Sequence, residues 1–476
     1  MDQAIVKAGA GTGVPPISPA IPKRIIIIGG GLAGMAAAVA LRSAGTFVTL
    51  IEARKSLGGR AGSFEDPQTG EVLDNCQHVL LGCCTNLIDF YQRIGAAKKI
   101  HWEKTIRFVD PHGKIFALRA TDSWPAPLHL AFSGASFAAL SVTERMTLGK
   151  GMLAMLRMGA EGRRALADVS FEHWLQREHQ PASLIDKFYD LVLISALNEQ
   201  SRRASAAYAI QVFQEGMLFH ESAYQMGTPA GPLAELYAEF PCSDLRLGTR
   251  ITGLRFDGNR AIGVELADEK LDADAVILAV NYPALEKWID PELAKTDSRF
   301  SGLDKLESVP ILGAHLWFDR PVLEFPHVAM MSGPLQWLFR KHGQDGRAVH
   351  GVISAARDWV GRPKEECLEI FTEQIRRNFP AARSARLERG VIVIDKRATF
   401  SPAPGVDHFR PPQSPPPSGI QNLYLAGDYS LTGWPATMEG AVRSGYLAAE
   451  AVLEQPGRFI KGDLPVQWPA RLVRTG

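Results

Sequence analysis

Four consecutive isoleucines, Ile25 to Ile28, sit between a basic pair and the glycine-rich run GGGLAG. A short stretch that is apolar at every position, rather than at alternate ones, predicts a strand buried on both faces inside a parallel sheet. Small residues from Met35 to Leu41 predict a helix lying close to that sheet, ended by Gly45. Phe47 to Ile51 predict the next strand, closed by Glu52. The same fully apolar signature returns at Ala275 to Val280 and at Asn422 to Ala426. Gly427-Asp428 and a helix from about Met438 follow the last of these. The stretch RLGTRITGLRFDGNRAIGVEL reads as a hairpin turning at Asp257-Gly258-Asn259.

Two long segments interrupt this scheme. Residues 101–240 are helix-rich and apolar, as in HLAFSGASFAALSVTERMTLGKGMLAMLRM. Residues 291–415 contain strand-like runs at Pro310 to Phe318 and Gly390 to Ile394. The expected organisation is a discontinuous cofactor domain (23–100, 241–290 and 416–456) into which a sheet-plus-helix substrate domain (101–240 and 291–415) is inserted twice. Residues 1–22, rich in Gly, Pro and Ala, read as a loose arm, and 457–476 as a tail. SPAPGVDHFRPPQSPPPSGI reads as a proline-rich surface connector, its PxxP spacing being compatible with a partner site.

Composition narrows the function. A chain of 476 residues is too long for one core, so more than one domain is expected. Its 52 basic and 51 acidic side chains leave a net charge of +1, with no basic run interleaved with aromatics, so nucleic-acid binding is not expected. Five cysteines imply no disulfide framework and fit a reducing interior. No apolar run reaches the roughly 18 residues of a membrane span. The first residues lack a charged region followed by an apolar core, so a cytoplasmic location is expected.

The glycines carry the first chemistry. In Gly29-x-Gly31-x-x-Gly34, the first glycine permits a tight turn, the second a close approach to pyrophosphate, and the third close helix–strand packing. The helix start, with Leu32 and Ala33, offers free N–H groups and a positive dipole end to phosphates. Glu52, 23 residues after Gly29 and followed by Ala53 and Arg54, is placed for ribose hydroxyls. Gly58, Gly59 and Arg60 can fold over the other side of the pyrophosphate. Asp428, at a strand end, could accept from a cofactor hydroxyl. The helix start around Met438, Glu439 and Ala441 can approach a cofactor's ring edge or phosphate.

The Glu-x5-Gly-Gly-Arg pattern and NLYLAGDYSLTGWPATMEGAV resemble the flavin-dependent amine oxidase and phytoene desaturase superfamily. That resemblance implies FAD as cofactor. It implies an α/β architecture: a Rossmann-type FAD-binding domain with an inserted α+β substrate domain, the amine oxidase-like two-domain fold. It also places Ile251 where a backbone contact holds the adenine.

DNCQHVLLGCCTNL, residues 74–87, concentrates three of the five cysteines. No Cys-x2-Cys is present and Cys83-Cys84 are adjacent, so no metal site is expected, and HVLLGCC reads as a mostly apolar strand. Asp74, Asn75, Gln77 and His78 resemble the Asp-Asn-x-Gln-His pattern of the hydroxysqualene dehydroxylases of bacterial hopanoid synthesis, with Cys76 where the superfamily often has glycine. This closer resemblance implies reductive removal of an allylic hydroxyl from a long isoprenoid, giving squalene. Departure of hydroxide needs a proton donor, with His78 the candidate and Asp74 or Gln77 its partner. It further implies contact with squalene-pathway enzymes and peripheral contact with the cytoplasmic membrane, Leu128 to Leu140 being a candidate interfacial segment. The alternatives are a carotenoid-type desaturase, a flavin amine oxidase, and a non-catalytic prenyl-binding carrier of the same fold.

Overall fold

The computed structural model describes residues 24–285, 288–289 and 291–474, so the expected N-terminal arm lies outside the described residues. A five-stranded sheet runs in the order Asp244–Leu247, Phe47–Glu52, Arg24–Ile28, Ala275–Leu278, Leu423–Leu425. All four pairings are parallel. Ile25–Ile28 occupy the centre and are buried on both faces, as their unbroken apolar run requires.

Two helices pack on this sheet, Leu32–Ser43 and Met438–Leu453. They touch backbone to backbone: a Cβ on Gly445 would lie 2.2 Å from the Ala33 carbonyl oxygen. Residues about 400 apart in sequence thereby bring both glycine motifs to one end of the sheet. The expected hairpin forms as Gly253–Asp257 and Arg260–Glu265, with Gly258 at φ +59° in its turn.

A seven-stranded, mostly antiparallel sheet forms the second layer, in the order Leu387–Phe400, Ser308–Phe318, Ala348–Ile353, Trp337–Arg340, His327–Met330, Thr105–Val109, Ile115–Arg119. The last two strands come from a segment expected to be helical. Their hairpin joins through one parallel pairing with His327–Met330. The long helices of that segment, such as Val142–Arg157, lie over the sheet with a large aromatic core around Phe171, Tyr189 and Phe213.

Two further expectations change. HVLLGCC is not a continuous strand: only Leu80–Leu81 pair, with Met226–Pro229. The chain turns at Gly82, where a Cβ would come within 2.0 Å of the Ser222 carbonyl oxygen. Helix Thr85–Arg93 then begins. The proline-rich run is not simply a surface connector either. Arg410 and Gln413 are buried within it and strap the loop that follows Leu423–Leu425. Beyond residue 456 the chain continues to a helix, Trp468–Val473, with Gln467 N–H donating to the Phe219 carbonyl. No helix among the described residues is long and apolar enough to cross a membrane.

Candidate flavin site

The glycine loop is shaped by what each missing side chain avoids. Gly29 adopts φ +109°, and its Cβ would meet the Ala279 carbonyl oxygen at 2.5 Å. A Cβ on Gly34 would lie 1.9 Å from the Gly29 carbonyl oxygen. Gly31 differs, because its extended backbone (φ −77°, ψ 178°) would tolerate a side chain and no protein atom lies within 4 Å of its Cβ position. The second glycine thus faces an open cradle. The helix it begins has no side-chain cap and no carboxylate in its first turn, so its leading N–H groups and dipole face the same space.

The other elements close on this cradle. Gly58 N–H donates to the Gly30 carbonyl at 2.8 Å, so the second glycine pair lies directly against the first. Gly59 has φ +59° and sits over Gly31. Glu52 accepts from Gly30 N–H at 2.6 Å and Arg54 N–H at 2.7 Å, which sets its carboxylate at the loop's rim. Ile251 is buried nearby in sequence to the Asp244–Leu247 strand, and its backbone N–H and C=O have no partner among the described residues. An uncapped helix start, a cradle open at Gly31, a carboxylate at the strand end and free backbone groups together fit a dinucleotide such as FAD.

Arg60 and Asp428, both expected at the cofactor, are joined to each other. The guanidinium donates to both carboxylate oxygens, at 2.6 and 3.0 Å, and to the Ala398 carbonyl at 2.7 Å. Burial pulls Arg60 down, but the adjoining Asp428 more than compensates and leaves it above its ordinary range. Asp428 is buried while the Arg60 side chain is 36% exposed, so the two-pronged guanidinium satisfies the buried carboxylate from the more open side. The pair also ties the Gly58–Arg60 loop to the Gly427–Asp428 loop and to the seven-stranded sheet. The Glu439 carboxylate is engaged within the protein: it accepts from Asn86 and Leu87 N–H at 3.2 and 2.8 Å, and from Arg443 Nε at 2.8 Å. It caps helix Thr85–Arg93, and at the start of helix Met438–Leu453 Gly440 and Ala441 N–H already donate to Thr437 Oγ1 and the Thr437 carbonyl, at 3.0 and 2.9 Å.

The loop after Leu423–Leu425 is held by Arg410, a residue with no recognisable sequence signal. Its guanidinium donates to the carbonyls of Asp428, Tyr429, Ser430 and Trp434, to Asp407 and to the Tyr208 hydroxyl. Gln413 Nε2 adds bonds to Ser430 Oγ and the Leu431 carbonyl, each 3.0 Å. Removing Arg410 would strand buried acceptors, so Arg410→Ala is expected to cost about 3–5 kcal/mol and to release flavin. Arg410→Lys should not restore it, because one ammonium cannot span this fan of acceptors. Thermal unfolding and flavin absorbance per protein measure both effects.

The candidate catalytic residues lie on the segment between the two sheets. His78 Nδ1 is 2.9 Å from the Cys76 carbonyl oxygen. A carbonyl only accepts, so Nδ1 carries the proton and Nε2 presents its lone pair. Burial lowers the His78 pKa below 6.5, with the Cys76 carbonyl and Asp74 opposing, so the ring is neutral at neutral pH. Asp74 is not its hydrogen-bond partner: that carboxylate accepts from Ser63 Oγ at 2.6 Å and Leu233 N–H at 2.9 Å. Burial raises Asp74, and those two bonds oppose the rise. Gln77 Nε2 points to the His78 carbonyl rather than to its ring.

Two histidines missed in the sequence brace this segment from the seven-stranded sheet. His315 Nε2–H donates to the Asp74 carbonyl at 2.9 Å, and its ring stacks on His350 at 4.0 Å. Burial lowers both, His315 to about 4. Asp395 of the Leu387–Phe400 strand lies within electrostatic reach of Arg60, Cys76 and His78. Burial pushes the Cys76 thiol up to about 12, so no thiolate is available there at neutral pH. All five cysteines are free, and no cluster of three or more His, Cys, Asp or Glu is placed to hold a metal among the described residues.

Comparison with known proteins agrees with this geometry. The family model described as flavin containing amine oxidoreductase matches residues 32–453. The 15-cis-phytoene desaturase of Synechococcus elongatus is 26% identical over 459 residues, covering 90% of this chain and 96% of that protein. The same organism's probable zeta-carotene desaturase is 26% identical over 492 residues, covering 90% and 98%. Among solved structures, a putrescine oxidase variant superposes with TM-score 0.69 at 20% identity, covering 91% of this chain and 99% of that one. That likeness shows the fold, a two-domain α/β architecture.

Proposed function

The chain belongs to the family of flavin containing amine oxidoreductases, an FAD-dependent oxidoreductase, and from that footing we propose that it desaturates a long polyisoprenoid chain. The observation that carries this reading is the match to phytoene and zeta-carotene desaturases along about nine-tenths of the chain, which takes in both inserted segments. FAD, when bound, supplies the two-electron partner for hydride exchange. A carbon–carbon single bond becomes double when one hydrogen leaves with its electron pair and its neighbour leaves as a proton. The proton needs an acceptor, and the Nε2 lone pair of neutral His78 is suited to that role. His315 and Asn75 hold the His78 segment in place, Asn75 Nδ2 donating to the Gly59 and Arg60 carbonyls at 3.2 and 3.3 Å.

A second reading, reductive removal of an allylic hydroxyl from hydroxysqualene, is favoured by the Asp74-Asn75-x-Gln77-His78 pattern. It runs electrons in the opposite direction and would require a proton on Nε2 of His78. An anaerobic single turnover separates the two. Oxidised holoprotein mixed with phytoene is expected to lose its oxidised flavin absorbance as one equivalent of desaturated product forms, read by mass spectrometry. If the oxidised protein leaves polyenes untouched while the reduced protein converts hydroxysqualene to squalene, desaturation is refuted and the second reading stands.

A further inference from the structure

The strand Leu387–Phe400 breaks its pairing with Ser308–Phe318 at one place. Val309 faces Thr399 and Ile311 faces Asp395, so Pro310 alone stands opposite Lys396, Arg397 and Ala398. Proline has no N–H to offer the ladder, and the partner strand bulges beside it. The bulge frees the Ala398 carbonyl, which accepts from Arg60 Nη1 at 2.7 Å. It also ends the regular pairing at Asp395, whose carboxylate turns back to accept from Arg397 N–H at 2.9 Å.

The register fixes where Asp395 points. Residues directly opposed in an antiparallel pair project to the same face, and so do residues two apart on one strand. Asp395 therefore shares a face with Ile311 and Gly313. The candidate catalytic segment rests on that face: a Cβ on Gly313 would lie 3.3 Å from the Asn75 carbonyl oxygen and 3.6 Å from Cys76 Cα. Asp395 is part-buried there, within electrostatic reach of His78 and Cys76. Neighbouring carboxylates have partners. Asp428 is paired with Arg60, and Asp66 and Glu71 with Arg389. Asp74 is engaged by Ser63 Oγ and Leu233 N–H. Asp395 has no ion pair among the described residues, and the Arg397 N–H occupies one of its two oxygens. Arg60 lies within reach but directs both prongs at Asp428. Lys396 and Arg397 follow on the bulge, and both are exposed, so water and salt screen their charges.

We propose that Asp395 is a catalytic carboxylate, facing the isoprenoid carbon that becomes positive when its hydride leaves. That hydride takes both electrons of its C–H bond to the flavin, the neighbouring carbon gives its proton to His78 Nε2, and no bond forms to Asp395. A fixed negative charge beside a developing cation stabilises the transition state more than the neutral chain, which is what acceleration requires. The same positive charge arises when hydroxide leaves an allylic carbon. The inference therefore rests on the isoprenoid reading proposed above, but not on the direction of electron flow.

The test is binding, read without turnover. The probes are a radiolabelled polyisoprenoid with a quaternary ammonium in mid-chain and its all-carbon isostere. Each is presented in the same neutral detergent to oxidised, immobilised holoprotein. The cationic chain is expected to bind at least about tenfold tighter than the neutral one. Asp395→Asn, whose side-chain oxygen can still accept from Arg397 N–H, should erase that preference while keeping flavin content, thermal unfolding and affinity for the neutral chain. In turnover this variant should lose about a hundredfold in kcat at nearly unchanged KM. Glu388→Gln, which removes an exposed carboxylate from the same strand, should change none of these. A preference absent from the wild type, one that Asp395→Asn retains, or flavin lost from that variant would each overturn the role of Asp395 while the isoprenoid reading stands on the binding of the neutral chain. Binding of neither chain would refute that reading and the proposal with it.

Discussion

Gly31→Val is expected to purify as a folded protein without flavin. The backbone at this position is extended and its Cβ site is free of protein atoms within 4 Å, so valine costs the apoprotein little. Its branches would instead fill the cradle that faces the helix start. Loss of FAD affinity by about a thousandfold, worth roughly 4 kcal/mol, is the expected size. Gly34→Val provides the contrast. Its Cβ would overlap the Gly29 carbonyl at 1.9 Å, so the cost falls on the fold, at about 4 kcal/mol or more. Far-UV spectra and flavin content of the two variants, compared with wild-type apoprotein to remove the stabilisation that bound FAD contributes, should separate a binding lesion from a folding lesion. Flavin retained by Gly31→Val would refute this cradle as the cofactor site.

The contrast between those glycines shows what was legible in the sequence. Local rules suffice where one element determines its own conformation: the apolar run Ile25–Ile28, the turn at Gly258 and the order of strand, glycine loop and helix all appear where patterning put them. They do not reveal which groups meet across hundreds of residues. Arg60 and Asp428 each read as a cofactor ligand when considered alone, and their mutual pairing, which meets the charge of the buried Asp428, follows only from the fold. The Glu439 carboxylate meets the open N-terminus of helix Thr85–Arg93 in the same manner, a contact no local pattern signals. Arg410 was invisible because its role depends on carbonyls that only the folded loop brings together. The hairpin formed by Thr105–Val109 and Ile115–Arg119 was overlooked for a related reason. Its strands are short, and their place in the seven-stranded sheet is fixed by pairing with His327–Met330, more than 200 residues away.

His78→Ala should retain FAD and lose about two to four orders of magnitude in kcat, the usual contribution of a positioned acid or base. No neighbouring side chain depends on the His78 ring for a hydrogen bond, since its partner is the Cys76 carbonyl, so a merely structural role would leave kcat close to wild type. The pH profile tests the sense of proton transfer. With its pKa lowered below 6.5 by burial, His78 is neutral and able to accept a proton throughout the neutral range. Desaturation by wild-type enzyme should therefore be level from neutral pH upward and fall only on an acidic limb below 6.5, and His78→Ala should lack that limb. A proton donor with the same lowered pKa behaves oppositely: its competent form is lost as pH rises through that value, and little remains at neutrality. Measuring kcat/KM against pH, with flavin content checked at each point, thus reads the direction of proton transfer directly. A profile that declines as pH rises from the acidic limb would make His78 a donor and shift the balance from desaturation to removal of an allylic hydroxyl.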